Sequence, residues 1–187
     1  MSGGHGHVDG SNKKIALLVA VLAASLAISE MGGKSSQTKA LLDHAEASNL
    51  WNFFQAKTVR QTVVRTAADE AEATFKDNPQ GMPAAVKAQT ERWRQTAQRY
   101  ETEPETGEGR KELMARAKAK EQHRETSLAA YHMFEYASAA FQLAIVLAGA
   151  AALTSVVWLI VISCGLGIVG LGFTILAFVA PTLLHLP

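Results

Sequence analysis

Charge is what the end of this chain lacks. No Asp, Glu, Lys or Arg follows Glu135, an interval of 52 residues, whereas residues 34–125 carry 16 basic and 14 acidic side chains. Apolar stretches longer than about 18 residues read as membrane spans, so a purely soluble protein is excluded. Cysteine is nearly absent too. Cys164 stands alone inside the apolar run, which rules out an intramolecular disulfide. The net charge of +1 offers no electrostatic case for nucleic acid.

Catalytic signatures are missing as well. There is no Gly-rich phosphate loop, no HExxH, no cysteine pair and no nucleophile beside a base, so the expectation is a non-enzyme without a cofactor. His5 and His7 lie in a Gly-rich tail, and His123 and His132 are too few for a metal site. The acidic segment of residues 101–108 reads as a flexible loop. Arg92, Trp93, Arg94 and Arg99 read as a solvated face.

What is present is helix. The first apolar run, Ile15–Ser29, follows Lys13 and Lys14 and is short for a span, which needs about 20 residues. A signal peptide has the same outline, but no cleavage region follows. The second run, from about Met133 to Leu184, is too long for one span and must fold back at its least apolar point, Thr154–Ser155. The expected order is a tail (1–13), transmembrane helix 1 (14–31), a polar helical part (32–132), transmembrane helices 2 (133–154) and 3 (157–180), and a tail (181–187). Ala140, Ala144, Ala148 and Ala152 recur every four residues, a spacing that lets helices approach closely in lipid. Gly165, Gly167, Gly170 and Gly172 offer the same in the third span.

The polar part reads as a long antiparallel helical hairpin, a coiled-coil-like stalk between spans 1 and 2. Its arms are about 36–77 and 84–132, its tip is DNPQGMP (77–83), and ETEPETGEG (101–109) interrupts the second arm. Either arm, if fully helical, would be about 70 Å long. Leu42, Phe53, Val64, Ala67, Ala71 and Phe75 fall on one stripe at 100° per residue. In the other arm Val86, Trp93 and Tyr100 recur by sevens, with Thr90 and Ala97 between them.

Three aromatics in four positions, Trp51, Phe53 and Phe54, are the candidate protein-interaction residues. Phe53 and Phe54 belong to the seam, but Trp51 points about 160° from Phe53 on helical geometry. Its face implies a third element: a second subunit, a partner, helix 110–130 of the same chain, or the bilayer surface if Gly32–Gly33 is a hinge. At the membrane boundary, hairpin topology gathers Glu30, Lys34, His132 and Glu135. Charges at that depth are costly, so this is either a solvated ion-pair cluster or a proton or ion site.

Three segments, EASNLWNFFQAKTVRQT (46–62), PETGEGRKELMARA (104–117) and YASAAFQLAIVLA (136–148), resemble a bacterial family known as domain of unknown function 4337. The likeness runs from about Lys13 to Pro181. It implies an inner-membrane protein of a Gram-negative bacterium without an assigned activity, and it carries over no functional residues. Relatives often place Lys or Arg at the turn between the last two spans, where this chain has Thr154, Ser155, Val156 and Val157. Orientation then rests on other charges. Lys13 and Lys14 favour a cytoplasmic N-terminus and a periplasmic hairpin; Arg116, Lys118, Lys120 and Arg124 pull the other way. The first helix usually dominates.

The resulting expectation is an all-α membrane protein that self-associates as a scaffold or interaction module. An ion- or proton-conducting assembly and an accessory subunit of a larger membrane complex are the alternatives.

Overall fold

The computed structural model describes residues 10–183, and its regular elements there are all helices. They are α1 (Gly10–Phe75), α2 (Ala84–Glu101), α3 (Arg110–Thr154) and α4 (Val157–Val179). The outer parts of both expected tails, residues 1–9 and 184–187, lie outside the described residues. Gly10 to Lys13, expected as tail, begin α1.

α1 is a single 66-residue helix. It contains no proline, and Gly32–Gly33 continue it rather than hinge it. Between α1 and α2 the tip closes on local chemistry. Gln80 N–H donates to Asn78 Oδ1 at 3.0 Å, Gly81 N–H to the Asn78 carbonyl at 2.9 Å, and Gly81 takes φ 72°, a left-handed value open to glycine. The second break follows Glu101, where Thr102 is extended. Gly109 is needed at its end, because a Cβ there would lie 2.4 Å from the backbone nitrogen of Glu103. Between α3 and α4 only Ser155 and Val156 stand outside the helices, with Ser155 at φ 59°.

The chain forms two compact units. One joins residues up to 41 with those from 124 onward, and contains the apolar segments of α1, α3 and α4. These three helices are long and apolar enough to cross a membrane. Their common core is Leu22, Ala137, Phe141 and Ala144, flanked by Leu18, Leu26, Ile145, Leu166 and Phe173. In lipid there is no hydrophobic drive between helices, so close packing and hydrogen bonds must hold them. Gly170 makes room for Phe141, whose ring would lie 2.9 Å from an added Cβ; Gly167 does the same for Leu22. Gly165 and Gly172 face open space. The alanine row is used within this unit: Ala140, Ala144 and Ala148 are buried, with Ala151 buried and Ala152 half-buried at its end. Two buried hydroxyls add bonds. Ser163 donates to the Ala144 carbonyl at 2.7 Å, and Ser29 pairs with Thr174 at 2.8 Å. Outside, Leu17, Val21, Val146, Trp158, Ile168 and Phe178 are exposed, as lipid contact requires.

The second unit, residues 42–123, packs the rest of α1 against α2 and the start of α3. Along α1, positions 43, 47, 50, 54, 57, 61, 64, 68, 71 and 75 are all buried or half-buried. Steps alternate between four and three, the period of a coiled-coil seam. Val86, Thr90, Trp93, Ala97 and Tyr100 occupy the inner face of α2, and Leu113 and Ala117 that of α3.

This seam corrects the stripe read from hydrophobicity. Leu42 is 62% exposed, while Asp43, Lys57 and Gln61 are buried in its place. An apolar stripe cannot be found by hydrophobicity where three of its positions are polar and satisfied by partners on other helices. Leu113, fully buried, and its neighbour Met114 both fit a helical period, and only the contact decides which fills the seam.

Candidate functional site

Two places gather polar chemistry, one in each unit. In the 42–123 unit they lie along the seam. Lys57 Nζ donates to Glu103 Oε2 at 3.3 Å, and its ammonium also stands 5.5 Å from the Phe53 ring centre and 5.4 Å from that of Tyr100. A cation removed from water is thus offset by the Glu103 carboxylate, a longer contact to Glu108 at 4.0 Å and two ring faces. One turn on, Gln61 donates through Nε2 to the Ala97 carbonyl and to Glu101 Oε2, both at 2.9 Å. Arg110 completes the group, donating to Thr58 Oγ1 at 2.9 Å, to Glu101 Oε2 at 2.8 Å and to Gln61 Oε1. The Gln61 hydrogen bond, followed by the charges of Arg110, Lys111 and Arg65, holds the Glu101 carboxyl below its ordinary range against a smaller desolvation effect.

The aromatic trio is distributed over this network. Arg110 lies 5.1 Å from the Phe54 ring centre, and Trp51 meets Phe54 edge to face at 5.5 Å. The Trp51 indole N–H donates to Glu121 Oε1 at 2.9 Å. The face of Trp51 that needed a third element therefore meets α3 of the same chain, and its ring is half-buried. Phe54 holds a seam position, and Phe53 is half-buried beside it with its ring centre 5.5 Å from the Lys57 ammonium. The Trp51–Glu121 bond leaves no local signal in the sequence, because its partners are 70 residues apart.

In the other unit, the boundary residues line an open groove of about 480 Å³ between α1 and α3. Glu30, Lys34 and Glu135 are among its walls, with Ser29, Gln37, Tyr131, Ser138 and Gln142. His132 does not line it but bonds Glu135 at 3.2 Å through Nδ1, and the Tyr131 hydroxyl donates to the other oxygen of the same carboxylate. Gln142 Nε2 donates weakly to Glu30 Oε1 at 3.5 Å. Lys34 stands four residues after Glu30, an arrangement that favours an ion pair. Ion pairs of this unit include Arg124 with Glu125 and His132 with Glu135. Glu30 and Lys34 share a groove and are not joined. Among the described residues no cluster of three metal-ligating side chains occurs.

A family model described as a domain of unknown function (DUF4337) matches residues 11–180. Comparison with curated proteins and with solved structures finds no match.

Proposed function

The chain belongs to the DUF4337 family, which brings no activity with it, and we propose that it is a non-enzymatic, membrane-anchored helical scaffold that self-associates. The single observation behind this reading is an apolar face left over once the seam is filled. Val59 and Val63, four residues apart on α1, are 63% and 61% exposed although the inner face of α1 is already occupied. Neighbouring apolar residues outside the lipid-crossing segments are a contact waiting for a surface.

The scaffold itself is an antiparallel hairpin stalk between spans 1 and 2. Its support is the order of the contacts: Arg94 pairs with Asp69 and Glu72, Lys57 with Glu103, Trp51 with Glu121, and Lys120 with Asp43 and Glu46. From Asp69 and Glu72 back to Asp43 and Glu46 on one arm, the partners advance from Arg94 through Glu103 to Lys120 and Glu121 on the other. The stalk stands in the periplasm of the bacterial inner membrane, with Lys13 and Lys14 holding the N-terminus in the cytoplasm.

Native mass spectrometry of the full chain in detergent tests self-association. An oligomer is expected, dissociating in a Val59→Glu, Val63→Glu variant that stays helical; a wild-type monomer that persists at all concentrations sinks the reading. Cysteine labelling at Gln80 in a Cys164→Ser background tests orientation, and reaction only from the cytoplasm reverses it.

A rival use of the membrane unit is ion or proton conduction through Glu30 and Glu135, favoured by their sharing one groove. Flux in proteoliposomes that is equal for wild type and a Glu30→Gln, Glu135→Gln variant removes it. As an accessory subunit of a larger membrane complex, the chain would co-purify with that complex from native membranes.

A further inference from the structure

The groove lined by Glu30, Lys34 and Glu135 has a position and a charge pattern that together select a ligand class. Its position follows from the sequence. Ile15–Ser29 is apolar and Glu30 is its first charge, while Glu135 is the last charge before 52 uncharged residues. The groove therefore lies where two lipid-crossing segments reach the headgroup layer, a depth that tyrosines favour and that Tyr131 and Tyr136 mark. Its walls carry charge, while the apolar Met31 and Leu143, each next in sequence to a lining residue, are exposed, at 74% and 57%.

The charge pattern narrows the class. Two carboxylates and one ammonium line the same 480 Å³ space. A bare divalent cation would face Lys34 and find two carboxylates, below the six or more oxygens that calcium takes. A simple anion would face a net negative surface. A zwitterion with a primary ammonium next to a phosphate matches both signs, and at this depth the bilayer itself presents one. Glu30 accepts only a long bond from Gln142 at 3.5 Å, and it and Lys34, one turn apart on the helix, can bind opposite ends of such a group.

We infer that this groove binds the headgroup of an aminophospholipid, phosphatidylethanolamine, with its ammonium donating to Glu30 and Glu135 and its phosphate accepting from Lys34. The groove exists because Gly33 forms its floor on α1 and Phe134 packs over the glycine pair, 2.6 Å from where a Cβ on Gly32 would sit. Side chains there would drive the helices apart. The primary ammonium is decisive: three N–H donors suit two carboxylates, and a quaternary ammonium has none.

The test is lipid retention by the full-length protein, purified in detergent and exchanged with vesicles of phosphatidylethanolamine, phosphatidylcholine or phosphatidylglycerol, read by native mass spectrometry. Phosphatidylethanolamine should be retained roughly tenfold over phosphatidylcholine, a difference of about 1.4 kcal/mol. The Glu30→Gln, Glu135→Gln variant should lose that preference, and Lys34→Gln should weaken binding of phosphatidylethanolamine itself. Equal retention of the three lipids by wild type overturns the proposal, and so does a preference for phosphatidylglycerol, which would make the groove an anion site. The wild-type comparison needs no substitution, so a variant that misfolds does not spare the idea.

Discussion

Lys57 and Glu103 meet at 3.3 Å with only 7% and 18% of their side chains exposed. A charged pair so far withdrawn from water contributes little net stability, since desolvation consumes most of the attraction. Removing one partner is another matter. Glu103→Gln should destabilise the protein by about 3 kcal/mol, because it leaves the buried Lys57 ammonium with two rings and the more distant Glu108 carboxylate at 4.0 Å. The double variant Lys57→Met, Glu103→Gln should recover part of that loss. Thermal melts of the four combinations measure it, and additive losses would contradict it.

Acid should act through Glu101. Its carboxyl is held below the ordinary value of 4.5, first by the Gln61 hydrogen bond. A group depressed in the folded state stabilises above its unfolded pKa and loses that contribution as pH falls through the folded one. The midpoint of thermal unfolding should therefore fall as pH drops through 4.5 and below. In Glu101→Gln the drop should be shallower. Identical acid profiles would show that Glu101 does not take part.

Gly170 and Phe141 make a membrane prediction. Gly170→Leu would put side-chain atoms where the ring already lies, at a cost of about 1–3 kcal/mol from overpacking. Gly172→Leu on the same helix meets open space and should be tolerated. Resistance to unfolding in mixed detergent, compared for the two variants, should separate them clearly.

Trp51 offers an optical readout. With its indole N–H bonded to Glu121, Glu121→Leu should shift the tryptophan emission and raise the accessibility of Trp51 to a soluble quencher. Trp93 and Trp158 contribute background, so the comparison is best made with both replaced by Phe.

Helical class was legible because it depends on local chemistry. The run after Glu135 holds two helical segments long and apolar enough to cross a membrane, a proline-free stretch extends α1, and DNPQGMP stops it. The turn at Ser155–Val156 was visible as a dip in hydropathy. In α2 the heptad of Val86, Trp93 and Tyr100 could be read because its core positions are apolar or small.

The α1 seam could not be read in this way. Asp43, Lys57 and Gln61 look like surface residues until Lys120, Glu103 and Ala97 are brought to them, and those partners lie 36 to 77 residues away in the chain. The same holds for Trp51 and Glu121, and for the choice between Gly167 and Gly165. Composition and period are properties of short segments, so the chain alone determined the helices, their breaks and their apolar lengths. Burial of a charge is decided by what faces it across the packing, and only the tertiary structure supplied that.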